Sequence, residues 1–255
     1  MTEIISFTQY KGGCAKTTST LNTGFYLASK GKKVLLVDID PQAHLTYSLG
    51  ISEDSVEDNN IYNSLVNNEK LNILNLKNYD SGKVDLIPSH IDLELAYKQL
   101  YSDHVPFKKL KKLLDSIKNN YDYILIDCPP SLNMLTQNAL YASDSVLIPV
   151  QSEALSCKGL SKLISAIDDL KEAYEINLAI KGIFLTRYDS RKVLNKQMFE
   201  FIKEEYPDEI LETVIRENIS LAETPLAKQD IFSYAPDSNG AKDYESLVKE
   251  VFVLQ

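Results

Sequence analysis

The chain has 255 residues, 44% of them apolar and 25% charged, which suits one large α/β core and excludes a disordered tail or a disulfide-stapled miniprotein. Lys plus Arg total 27 against 36 Asp plus Glu, a formal net charge of −9, so bulk attraction to nucleic acid or anionic membrane is absent and any DNA binding must come from a local patch. Cys14, Cys128 and Cys157 form no C-x-x-C pair and no even framework, which argues against zinc or cluster sites and for a reducing interior. With no signal-peptide pattern and no apolar run approaching a membrane span, a soluble cytoplasmic protein is expected.

Taken in chain order, strand-length apolar runs recur at Ile4–Phe7, Val34–Val37, Val84–Pro88, Tyr123–Ile126, Ser145–Val150 and Ala179–Thr186. They are continuous instead of alternating, as expected for strands buried on both faces. Helix-like segments between them, among them Thr17–Lys30, Phe107–Lys118, Leu132–Tyr141 and Lys158–Glu172, give the alternation of a doubly wound, mostly parallel sheet flanked by helices. The whole chain, 1–255, reads as a single domain. Residues 51–82 are rich in Asn, Asp, Ser and Glu without strong periodicity and are expected to form a surface excursion within it.

The first strand runs into TQYKGGCAKTT and then into a helix, the order that phosphate binding requires. Backbone N–H groups of the loop can wrap phosphates, Lys16 can neutralise them, the Thr17 hydroxyl can ligate magnesium, and the helix dipole favours the anion. The standard pattern G-x-x-x-x-G-K-[ST] fails, because Tyr10 and Ala15 stand at both glycine positions. What matches is K-G-G-x-x-K-[ST], with an extra lysine, Lys11, at the start of the loop. This form resembles the ParA/MinD family of ATPases. The resemblance extends through VLLVDIDPQAHLT at residues 34–46, YDYILIDCPPSLNMLTQNAL at 121–140, DSVLIPVQSEALSCKGL at 144–160 and PDSNGAKDYESLVKEV at 236–251. Both carboxylate motifs end buried strands, where ligands of open α/β sheets sit, although helix capping by itself explains many such aspartates.

The resemblance implies an ATPase that uses ATP and Mg²⁺. Lys11, Gly12, Gly13, Cys14, Ala15, Lys16, Thr17 and Thr18 would form the nucleotide cradle, Thr17 and Asp127 would hold the metal with Asp38 supporting its shell, and Asp40 would position the attacking water. Lys11 would reach the phosphates of a partner subunit across a two-fold interface, with Glu153 near the ribose. ATP would then favour a homodimer and hydrolysis would release it. Cys14 and Cys128 read as small residues beside the nucleotide.

The ParA branch implies binding of non-specific DNA by the ATP dimer, a nucleoid-associated location and a ParB-like or other activating adaptor. Two segments each carry a local balance of +4: residues 181–203, with Lys181, Arg187, Arg191, Lys192, Lys196 and Lys203, and residues 107–118, whose lysines flank an apolar stripe of Phe107, Leu110, Leu114 and Ile117. A solvated helix face explains such runs equally simply. Arg191 and Lys192 lie in YDSRK, which resembles the family's DNA-contacting segment. Residues 213–221, TVIRENISL, depart from it: relatives of the chromosome-partition branch read like T-V-I-P-R-N-V-R-L, so Glu217 replaces the expected arginine and Ser220 the next one, while Arg216, in place of the proline, is expected to substitute as the DNA contact one position early. The phosphate loop begins too near the N-terminus for a DNA-binding domain to be expected ahead of it. A MinD-like membrane-cycling ATPase would need a basic amphipathic end, whereas KDYESLVKEVFVLQ has two Lys against three acids, so no stable membrane anchor is expected. A metabolic P-loop ligase or kinase is the remaining alternative.

Overall fold

The computed structural model describes residues 1–101, 106–153 and 156–253; Ala154, Leu155, Leu254 and Gln255 of the segments discussed above lie outside the described residues. Eight strands form one sheet: β1 (Glu3–Phe7), β2 (Lys33–Asp38), β3 (Leu74–Asn78), β4 (Lys83–Ile87), β5 (Tyr123–Asp127), β6 (Ser145–Gln151), β7 (Ala179–Tyr188) and β8 (Ile215–Arg216). Their order is β3-β4-β2-β5-β1-β6-β7-β8, parallel throughout except for the antiparallel edge pair β3–β4. The helices are α1 (Lys16–Ser29), α2 (His44–Ser48), α3 (Ile61–Val66), α4 (Ala96–Tyr101), α5 (Lys109–Asp115), α6 (Met134–Ala142), α7 (Ser156–Tyr174), α8 (Val193–Glu205), α9 (Ile219–Ala227), α10 (Ile231–Tyr234) and α11 (Asn239–Val251).

Side chains of each strand point alternately to the two faces, and both faces are covered. Ile5, Phe7, Val34, Leu36 and Leu125 pack under α1 and α11, against Leu21, Phe25, Tyr244 and Leu247. Ile4, Leu35, Val37, Ile124 and Ile126 face α3 to α6, through Ile61, Leu65, Leu110 and Leu135. Val146, Ile148, Val150 and Ile183 meet Leu160, Leu163 and Ile167 of α7 and Met198 and Ile202 of α8. Gly24 sets the approach of α1 to the sheet, since a Cβ there would lie 2.6 Å from Leu36 Cδ2.

Two expectations change. Residues 51–82 are no simple excursion: α3 buries Ile61 and Leu65 in the core, and β3 extends the sheet beside β4. Their apolar pattern lasts one or two turns, too short to stand out against polar neighbours. The helix expected over 107–118 also breaks, with one turn of 3-10 helix at each end of α5. Phe107 leaves the helical stripe to stack 3.9 Å from the Tyr174 ring centroid and 5.3 Å from that of Tyr141. Lys111 and Lys118 of this segment share Asp115, as a solvated helix face does.

Candidate functional site

The register of three adjacent strands assembles the site. Phe7 pairs with Asp127, and Asp127 with Asp38, so the loop that leaves β1 and the carboxylates that end β5 and β2 emerge side by side. This is the carboxyl edge of the sheet, and β1 lies where its connections change direction, the place at which open α/β sheets bind ligands.

The loop is a cradle without side chains at its centre. A Cβ at Gly12 or Gly13 would meet nothing within 4 Å, and Gly13 has φ +77°, left-handed backbone that glycine adopts without strain. Ala15, the N-cap of α1, has φ 70° and ψ 27° and takes the same conformation with a methyl group. That conformation costs a non-glycine residue about 1–2 kcal/mol. Ala15→Gly should therefore raise the melting temperature of the nucleotide-free protein by about 2 °C after the larger unfolded-state entropy of glycine is subtracted, as calorimetry would read.

The two loop lysines are placed differently. Lys16 is buried, with its Nζ 3.4 Å from the Lys11 carbonyl oxygen, which also accepts from Cys14 Sγ at 3.0 Å. Lys11 turns the other way and pairs with Glu153 of its own chain, and Gln151 Nε2 donates to the other Glu153 oxygen at 2.6 Å. The Lys11 ammonium, first by hydrogen bonding, holds the Glu153 carboxyl below its ordinary value. Thr186 at the end of β7 donates to the Cys14 carbonyl oxygen at 3.2 Å, tying the loop to the far half of the sheet. Beside it lies a cavity of about 320 Å³ lined by Gln9, Tyr10, Lys11, Cys14, Gln151, Ser156 and Gly159. Burial raises the Cys14 and Cys128 thiols, so both are neutral packing groups.

Asp127 and Asp38 are fully buried. Thr17 Oγ1 donates to Asp127 Oδ2 at 2.7 Å, while Asp127 Oδ1 has no hydrogen-bond partner among the described residues. Burial, then the charge of Asp38, drives the Asp127 carboxyl well above its ordinary value. Burial likewise pushes Asp38 up to about 7, against hydrogen bonds from Thr46. A buried carboxylate with an orphaned oxygen next to a threonine hydroxyl fits a hard divalent cation. Among the described residues no group of three or more His, Cys, Asp or Glu could hold a metal by itself. Asp40 is nearly buried on the same edge, its Oδ1 accepting from Gln42 N at 3.0 Å. Lys11 through Thr18, Asp38, Asp40, Asp127 and Glu153 thus occupy one contiguous region.

The cations proposed for DNA stand apart at the β7–β8 edge, and each has a carboxylate partner. Arg191, 89% exposed, pairs with Asp189 at 2.9 Å and holds that carboxyl down to about 2. Lys192 Nζ lies 3.5 Å from Glu217, and Arg216 forms a forked pair with Asp243, its Nη2 2.5 Å from Oδ1. Lys181 and Lys203 are likewise paired, with Glu3 and Glu212. Of the six bases counted in residues 181–203, Lys181, Lys192 and Lys203 therefore meet acids outside the segment, while Arg191 pairs with Asp189 inside it. The residues that sequence reading missed are Thr46 and Ser89, two fully buried hydroxyls behind Asp38 and Asp40. Thr46 falls inside the 34–46 motif, whereas nothing in the sequence singles out Ser89.

Fold and site together define a P-loop nucleoside triphosphatase with a two-lysine phosphate loop. A model of the AAA domain family matches residues 2–181. The chain belongs to the ParA/Soj-type ATPases: it is 42% identical over 252 residues to the sporulation initiation inhibitor protein Soj of Bacillus subtilis, covering 98% of each chain. The chromosome-partitioning ATPase Soj of Treponema pallidum is 37% identical over 98% of this chain and 97% of its own. Among solved structures, cobyrinic acid a,c-diamide synthase from Mycobacterium smegmatis with bound ATP analogue and magnesium aligns with a TM-score of 0.83 at 29% identity, over 98% of this chain and 93% of that one. ATP and Mg²⁺ are the cofactors that the cradle and the Thr17–Asp127 pair fit.

Proposed function

We propose that this protein is an ATP-driven partition or positioning switch: it dimerises with ATP, binds non-specific DNA as the dimer, and is reset when an activating adaptor of the ParB-like kind stimulates hydrolysis. The observation that carries this reading is the division of labour between the loop lysines. Lys16 covers its own cradle, while Lys11 stands at the edge on a half-exposed, solvent-screened ion pair that is readily broken. A cation so held is free to reach the phosphates of a second subunit, which makes nucleotide part of the dimer contact. Within one protomer, Lys16 and the loop amides would bind phosphate, Thr17 and Asp127 would hold Mg²⁺, and Asp40 would orient water. Phosphoryl transfer to water asks for little more than this positioning and charge neutralisation, with the cation supplying the remaining positive charge on the phosphates.

The full-length similarity to Soj proteins supports DNA as the surface on which the switch works. A membrane surface is less well supported, because the apolar face of α11 is committed to the core through Tyr244, Leu247 and Val248. The fold alone does not separate a switch from a metabolic enzyme, since a synthase shares it.

The test is binding to an arbitrary-sequence duplex with no nucleotide, ADP–Mg²⁺ or ATP–Mg²⁺ across salt concentrations. ATP-selective binding that weakens with salt is expected, and Arg191→Glu should lower the salt slope by about 1 without changing sequence preference. Absence of binding in every state would move the working surface to another partner.

A further inference from the structure

Asp40 sits on a loop, and loops do not by themselves hold a group to the tolerance that orienting a water requires. Its side chain accepts only from Gln42 N among the described contacts, and Gln42 is exposed. The rigidity comes from behind. Thr46 of α2 donates its backbone N–H and its hydroxyl to Asp38 Oδ2, at 2.9 and 2.7 Å, while Asp40 N donates to Asp38 Oδ1 at 3.2 Å. The Thr46 hydroxyl in turn accepts from Ser89 N at 3.0 Å, and the Ser89 hydroxyl donates to the Asp40 carbonyl oxygen at 2.7 Å. Ser89 follows the end of β4, the strand beside β2 in the core of the sheet. Asp38, Thr46 and Ser89 are all fully buried, so water does not compete for these bonds.

We propose that Ser89 is a positioning residue for ATP hydrolysis: through its hydroxyl it pins the backbone of Asp40, and through its N–H and Thr46 it registers that backbone against Asp38. This rests on the reading of Asp40 as the residue that orients water. The direction of each bond makes the proposal specific. The Ser89 N–H is spent on Thr46 and its O–H on Asp40, so Ser89→Ala deletes one bond and leaves the other in place. The Asp40 carbonyl keeps a second donor, Ala43 N at 2.9 Å, so the variant buries no orphaned acceptor and should fold. Nothing in the phosphate cradle touches Ser89 among the described contacts; the loss should therefore fall on turnover and not on nucleotide binding.

The experiment measures steady-state hydrolysis and the lifetime of the ATP-bound dimer for wild type and Ser89→Ala. The expected result is a kcat lowered by about tenfold, the scale of a small misplacement of a reacting group, with the KM for ATP within about twofold. The dimer lifetime should lengthen by the same factor, since ATP persists in it. A merely structural role for Ser89 would loosen the site and shorten that lifetime. An unchanged kcat, or a lowered kcat with a raised KM and a shorter lifetime, would overturn the proposal. If wild type forms no ATP-dependent dimer, the switch reading fails, while the split between kcat and KM still decides the role of Ser89.

Discussion

Asp40→Ala is expected to bind ATP–Mg²⁺ normally and to remain in the dimeric state, with hydrolysis slowed by about 100-fold or more. The variant removes the group assigned to the water and leaves the phosphate cradle, the Thr17–Asp127 pair and both loop lysines untouched. The loop itself stays anchored, because Ser89 and Ala43 hold the Asp40 backbone and not its side chain. Sedimentation or light scattering at saturating ATP–Mg²⁺ would show the dimer persisting for much longer than in wild type. A monomeric Asp40→Ala protein under those conditions would contradict the assignment. Lys11→Ala gives the opposite signature, retaining ATP and losing the dimer, because Lys16 still neutralises the phosphates of its own protomer.

The second large effect concerns Asp127, where stability and function pull against each other. Two buried carboxylates without a cation between them are costly: burial raises both, the charge of Asp38 raises Asp127 further, and that of Asp40 raises Asp38. A carboxyl whose folded-state value is raised contributes stability below its unfolded value near 4 and loses it as pH rises through the folded value. For the nucleotide-free protein, stability should therefore decline between pH about 4 and about 7, the value to which Asp38 is pushed. Asp127→Asn removes one of the two charges, so at pH 7.5 it should melt higher by about 2–6 °C, on the basis of roughly 1–2 kcal/mol regained. Its decline across that pH range should flatten. The same variant loses the carboxylate that Mg²⁺ needs; the gain in melting temperature on adding ATP–Mg²⁺, about 4 kcal/mol for wild type at a thousandfold excess over Kd, should largely vanish. Calorimetry with and without ATP–Mg²⁺ reads both changes, and a variant that melts lower without nucleotide would show that the Asp127 charge is already compensated within the protein, by Lys16 and the Thr17 hydroxyl.

Ser89 and the β7–β8 edge mark where local reading of the chain gave out. Strands buried on both faces cannot hide in a sequence, because their apolar runs are continuous; the six runs and the helices after them were legible for that reason. The phosphate loop was legible because its chemistry is local: glycines without side chains, a lysine and a threonine must fall within a few residues between a strand and a helix. β3 was not, because an edge strand needs only one apolar face and its residues alternate among asparagines and a lysine. The break in the helix over 107–118 was hidden too, since Phe107 fits the stripe equally well and only Tyr141 and Tyr174, distant in sequence, draw it away.

The site divides in the same way. The class of chemistry was legible in the chain, since Lys11 to Thr18, Asp38, Asp40 and Asp127 lie in short contiguous segments that resemble those of a known ATPase family. What each charge is worth depends on the folded chain. The tertiary structure placed Glu153 on Lys11, left Asp127 Oδ1 without a partner among the described residues, brought Glu3, Glu212 and Glu217 to basic residues of the 181–203 segment whose local count was +4, and set Asp243 on Arg216. It also set Ser89 behind Asp40 across 49 residues of chain. Electrostatic energies depend on distance in space and on burial, neither of which a window of sequence contains, so the residues were nameable in advance and their partners were not.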